Sequence, residues 1–202
     1  MGAMTRNRAA AARLAGLRTA VALLLVSLLG CTADPPEEPE PTPGSEVALR
    51  VTTVWGTDGV DADTQADLEE QVGDVLSTYV EGGFLGDYPR QDFVRAFDDF
   101  APGLTQDAAG DIDVLTASAF EDASDVRATK LVARVSFAVT GRTVVGATAH
   151  VDLQFEATTA DGATPLSLTG RLVLMYDHDT WTVFTYDVRS QDGASVQAEV
   201  TS

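Results

Sequence analysis

Apolar side chains recur every three or four positions at Leu68, Val72, Val75, Leu76 and Tyr79, the spacing that holds one stripe of a helix against a core. Asp61 or Asp63 is placed to cap the first amides of this helix, and Gly82 with Gly83 to end it. Pro89 is expected to open a second helix, with Phe93, Phe97 and Phe100 on one stripe and Asp92, Asp98 and Asp99 largely off it. A weaker helical pattern covers residues 105–116.

From Leu131 the period drops to two. Leu131, Ala133, Val135, Phe137 and Val139 alternate with polar positions up to a tight turn at Gly141 and Arg142. Val145, Ala147, Ala149, Val151, Leu153, Phe155 and Ala157 then alternate with Thr148, His150, Asp152, Gln154 and Glu156. Residues 160–165 turn the chain again, and Leu166, Leu168, Leu172, Leu174 and Tyr176 share the next face. After a polar turn at 177–180, residues 181–188 form the last strand. Four long strands on short turns make an antiparallel meander, and residues 47–55 read as a further short strand ahead of the helices. The expected class is α+β, with N-terminal helices packed on one face of a curved antiparallel sheet of four to five strands. On the last strand Trp181 and Val183 are expected to face one way and Phe184, Tyr186 and Val188 the other. The second set, with Val173 and Met175, would put an apolar patch on the outer sheet, a common mark of a partner or dimer surface.

The first 46 residues follow neither rhythm. Arg6, Arg8, Arg13 and Arg18 precede an apolar run at 20–29, and small Gly30 stands directly before Cys31. That is the layout of an export signal. As a helix the run would be roughly 15 Å long, well short of a bilayer-spanning segment. Arg6 stands where a myristoylation motif needs Ser or Thr, and the absence of an adjacent arginine pair near the start favours the general export route. Residues 34–46 hold five prolines and five acids with no apolar residue. They are expected to form an extended spacer with a reach of ~40 Å. The organisation is therefore a signal at 1–30, an acidic linker at 31–46 and one α+β domain at 47–202.

Charge narrows the partners. The formal net charge is −18, and removing the signal leaves nine bases against 31 acids. Such a surface argues against nucleic acid, because phosphate binding relies on clustered Lys and Arg. One Cys excludes an intrachain disulfide and a multi-Cys zinc site.

Leu28, Leu29, Gly30 and Cys31 resemble the lipobox of bacterial lipoproteins. The resemblance implies cleavage between Gly30 and Cys31, with Cys31 the lipid attachment point and first mature residue. Two acyl chains would then hold the protein on a bilayer where one gives only marginal binding. The alternative is a plain secretory signal and an unmodified thiol, free or buried, although the polar, Pro-rich sequence after Cys31 offers no core to bury it. One Lys against twelve Arg, with abundant Ala, Val, Asp and Gly, fits a high-GC, actinobacterial genome.

Residues 63–189, helices first and then a sheet running through Gly170, Arg171, Leu172, Tyr176 and Trp181, resemble the cystatin-like cone of the nuclear-transport-factor-two-like superfamily. Mammalian-cell-entry-associated proteins of actinobacteria are similar in placing such a cone outside the membrane. The short hairpin many members insert between their helices has no counterpart here, and the strand at 47–55 is additional. The resemblance implies a space between helices and sheet that Tyr79, Phe93, Phe97, Phe137, Phe155 and Tyr176 would line. An ordinary packed core requires the same side chains.

Candidate chemistry is sparse. His150 and Asp152 share the polar face of a strand, where a solvated base has no apolar pocket to work in. His178 lies between Asp177 and Asp179 in a turn. Two separated histidines do not make a metal site. The acidic runs Asp58, Asp61, Asp63, Asp67 and Asp107, Asp111, Asp113 lack the pattern of a calcium loop: counted from Asp61, its glycine and glutamate places hold Ala66 and Val72. Helix caps and solvated acids account for them. No nucleophile elbow, Walker loop, dinucleotide fingerprint or zincin helix is present, so no catalytic residue, cofactor or metal is expected. The expectation is a non-catalytic cell-envelope lipoprotein, held on the outer face of the cell membrane through Cys31, whose domain contacts an envelope protein or a second copy of itself. The alternative is a carrier of a small apolar ligand, or an isomerase-like enzyme, using a pocket inside the cone.

Overall fold

The structure is a computed structural model and describes residues 47–200 apart from 57 and 192. The expected export signal, Gly30, Cys31 and the expected acidic spacer lie outside the described residues. A short strand, β1 (Arg50–Trp55), leads to the long helix α1 (Ala62–Gly83). Asp61 caps that helix: its carboxylate accepts the Thr64 amide at 3.0 Å and the Thr64 hydroxyl at 2.9 Å, and these bonds hold the carboxyl below its usual range. The stripe read from the sequence is the buried one, from Leu68 through Tyr79.

The helix expected from Pro89 does not form. Arg90 instead turns back onto α1, its guanidinium donating to the carbonyls of Leu85 at 2.5 Å, Glu81 at 3.2 Å and Gly82, and to that of Asp92 at 2.6 Å. It also stacks 4.8 Å from the centre of the Phe93 ring. The C-terminal carbonyls of a helix need donors, and meeting them this way draws residues 90–93 into an irregular arm. Asp92 then accepts the Val94 amide at 3.1 Å, and only a single 3-10 turn, Val94–Phe97, follows. Phe93, Phe97 and Phe100 are buried all the same. The weak helical region beyond is split into α2 (Pro102–Gly110) and the one-turn α3 (Ile112–Leu115), and a second 3-10 turn, Ser118–Phe120, leads to the sheet.

The sheet has six strands, one more than the largest number expected. After β1 come β2 (Asp125–Thr140), β3 (Thr143–Thr159), β4 (Gly162–Asp177), β5 (Thr180–Ser190) and β6 (Ser195–Glu199), ordered β1-β2-β3-β4-β5-β6. All neighbours are antiparallel except β1, which joins β2 in parallel because the helices intervene between them. The sheet is open and not strongly curled. The last strand, β6, was not anticipated: it is short, and only Val196 and Ala198 mark its inner face.

Bulges explain why alternation alone mis-sorts some positions. In the register, Val54, Thr129, Val145 and Phe184 have no partner residue, and each such insertion reverses which parity points inward. At Thr129 the reversal hides the first residues of β2, Asp125 to Ala128, from a reading that starts at Leu131. At Val145 it puts Val144 inside and Val145 outside. At Phe184 it brings Tyr186 and Val188 to the same buried side as Trp181 and Val183. The expected outer patch of Phe184, Tyr186 and Val188 is therefore not formed, and Tyr186 and Val188 belong to the core. Beyond the stretch of β5 that β6 covers, the Val183 backbone pairs with residues 99–101: its amide donates to the Asp99 carbonyl at 2.8 Å, and the Ala101 amide donates to the Val183 carbonyl at 2.9 Å. Helical cover and sheet are thereby joined by backbone bonds.

Candidate functional site

Aromatic side chains fill the layer between the helices and the inner face of the sheet. Phe84 stacks on Phe155 with centroids 4.4 Å apart, Tyr79 meets Phe84 edge-on at 6.0 Å and Phe100 at 5.8 Å, and Phe97 meets Phe100 at 5.1 Å. A second group joins Trp181 to Tyr176 at 4.8 Å and to Phe137 at 6.1 Å. Of the six side chains expected to line a cavity, Tyr79, Phe93, Phe97, Phe137 and Phe155 are buried in this packing, and Tyr176 is half-buried at its edge. The Tyr79 hydroxyl donates to the Leu115 carbonyl at 2.5 Å, and that of Tyr186 to Asp111 at 2.7 Å. Burial pushes both phenols well above their ordinary range, so they remain neutral donors.

A cavity of about 400 Å³ opens at the rim of this layer, between α3, the Ser118–Phe120 turn and the start of β4. Phe84, Val114, Phe120, Pro165 and Leu166 give it a mainly apolar wall, with Asp113 at its edge. It touches the predicted set only indirectly, because Phe84 stands between it and Phe155. The signal that could have pointed here was Phe120, an aromatic in a polar stretch between the helices and β2.

The outward face of the sheet carries the charges. One complete register row reads Thr52, Arg134, His150, Arg171, Asp187 and Gln197 across β1 to β6, and the next reads Arg50, Val132, Asp152, Thr169, Arg189 and Ser195. With Arg127 and Lys130, this face holds six of the nine bases beyond residue 30. The segment 58–122 has seventeen acids against two arginines, whereas 125–190 has seven acids against six bases. The formal charge of −18 thus conceals a separation that appears only when the strands are aligned.

Asp152 does not serve His150. Its carboxylate takes the Lys130 ammonium at 2.5 Å and the Gln154 amide at 3.1 Å, and the Lys130 bond above all holds it below the usual carboxylate range. His150 is exposed, between Arg134 and Arg171 in the register. Arg127 pairs with Glu156, and Arg171 with Asp187 at 3.1 Å. Among the described residues Arg134 and Arg189 have no carboxylate within ion-pair distance. Beside this row lies a shallow cleft of about 270 Å³, lined by His150, Thr169, Arg171, Asp187 and Arg189 around Gly170. The sequence reading singled out His150 but missed the arginines. Each occupies an ordinary polar position of an alternating strand, and their neighbourhood depends on register.

The remaining candidates have structural partners. His178 and Asp179 have φ of 49° and 61° in the β4–β5 turn, as a two-residue hairpin requires, and His178 meets Asp177 at 2.9 Å. Asp113 accepts the Ser118 hydroxyl at 2.7 Å. Among the described residues, no cluster of three His, Cys, Asp or Glu side chains is placed to hold a metal ion, and no helix is long and apolar enough to cross a membrane. No protein-family model, curated protein or solved structure matches the chain.

Proposed function

We propose that this chain is an exported, membrane-anchored lipoprotein whose folded domain is a non-catalytic binding module of the cell envelope. The observation that carries the binding role is the sheet's outward face, which gathers most of the domain's cations although the helical segment is strongly acidic. The anchor rests on Leu28, Leu29, Gly30 and Cys31 and on the acidic, proline-rich spacer that follows. A stem of that composition resists collapse and holds the domain off the outer face of the membrane. The order of helices followed by long bulged strands supports a relationship to the cystatin-like cone, and the parallel β1 is this chain's departure from it.

Replacing Cys31 with Ala tests the anchor. The variant should lose its lipid and either leave the membrane fraction or accumulate with its signal attached, as read by mass spectrometry of the N-terminus. Normal processing with unchanged membrane retention would dismiss it.

The cavity at Phe84, Phe120 and Leu166 supports a second reading, a carrier of a small apolar ligand. Purified protein incubated with a lipid extract, washed and analysed by native mass spectrometry should then retain a small molecule. A bare polypeptide would leave that cavity a packing defect.

A further inference from the structure

The outward sheet face combines two surfaces that a bilayer or a free anion would not both use. Along the central row Arg134, His150 and Arg171 are immediate neighbours on three strands, about 4.8 Å apart from strand to strand. Basic groups side by side across strands oppose pairing when both are charged. The acids facing this row are Asp187, bonded to Arg171, and Asp152, bonded to Lys130. Two residues further along β2 to β6, and three along β1 because of the Val54 bulge, the row becomes Trp55, Ser136, Thr148, Val173 and Thr185, without a charge until Glu199 at the β6 edge. Trp55 is 69% exposed there, and Met175, one step beyond Val173 along β4, is 44% exposed. Exposed Trp beside Arg is the side-chain chemistry of protein interfaces. Asp177 and Asp179, in the turn just past Met175, add negative charge beside this row, which disfavours anionic lipid headgroups.

We propose that this face docks an acidic polypeptide segment of another protein. Carboxylates of the segment would lie in the cleft at Gly170 and along Arg134, His150, Arg171 and Arg189, and two of its apolar side chains would lie, one against Trp55 and one against Val173. The assignment deepens the binding-module reading and rests on it, but it is independent of the lipid on Cys31.

The test uses the purified full chain and a synthetic peptide of glutamates interrupted by phenylalanine at every third position. Binding is followed by the emission of Trp55, while Trp181, only 4% exposed, reports the fold. The peptide should bind, and the double variant Arg134→Glu/Arg171→Glu should weaken it tenfold or more. A control with the same net charge, Arg95→Glu/Arg142→Glu, should stay within twofold of the parent. Absence of binding, or equal loss in the two double variants, overturns the proposal. Tighter, Arg134- and Arg171-dependent binding to phosphatidylglycerol vesicles than to the peptide would overturn it in favour of a membrane surface. Absence of peptide binding by the parent protein, with its lipidation intact, would refute this partner while leaving the anchor standing.

Discussion

Phe155→Ala should lower the unfolding free energy by about 3–5 kcal/mol, the usual cost of truncating a buried phenylalanine. Phe155 is buried on β3 and stacks on Phe84 just past the C-terminus of α1. Removing the ring therefore withdraws a stacked contact between the residue that ends the helix and the centre of the sheet. Two parts make up the loss: the apolar transfer energy of the ring, and the space left where neighbours relax incompletely. Phe84 also forms a wall of the rim cavity, so the new space can join it and admit water, which pulls the expected value toward the lower end. Urea unfolding followed by Trp181 emission measures the effect, with the midpoint falling and the slope unchanged. A loss below about 1 kcal/mol would mean that this stacked pair is not part of the cooperative core.

The second large effect is expected at Gly170, which pairs with Val188 of β5. Gly170 has φ of +145°, and a Cβ there would lie 2.3 Å from the Asp187 carbonyl oxygen and 2.7 Å from the Val188 Cα. Both obstacles are backbone, so no side chain can swing aside and β5 must move. Gly162 provides the comparison, with φ of +120° and nothing within 4 Å of the added atom. Gly162→Ala should cost only conformational strain, roughly 1–2 kcal/mol. Gly170→Ala adds overpacking of similar size, for roughly 3 kcal/mol or more in all. Amide hydrogen exchange should also speed up from Asp187 to Arg189 in the Gly170 variant alone. Equal destabilisation at the two glycines would show that backbone conformation, rather than the approach of β5, decides both. Because Gly170 floors the cleft between Arg171 and Arg189, Gly170→Ala should also weaken binding of the glutamate–phenylalanine peptide.

The order of elements and most of the core were readable from periodicity. The stripe Leu68, Val72, Val75, Leu76 and Tyr79 and the alternation from Ala147 in β3 through Leu174 in β4 record burial directly, because water is excluded from one side of each element at its own repeat. Periodicity reports burial rather than backbone geometry, however. Phe93, Phe97 and Phe100 are spaced as on a helix and are buried, yet the arm they occupy is built around Arg90 and a bridge to Val183.

Local sequence by itself therefore determined the α+β class, the meander from β2 to β5, the identity of most buried residues, and the unusual character of residues 1–46. Tertiary structure alone decided the parallel placement of β1, the addition of β6, the inward turn of Tyr186 and Val188, and the gathering of Arg134, His150, Arg171 and Arg189. The physical reason is that apolar patterning acts within one element, where neighbouring positions share a face. Strand register and bulges act between elements, and they are set by backbone pairing among residues far apart in the chain.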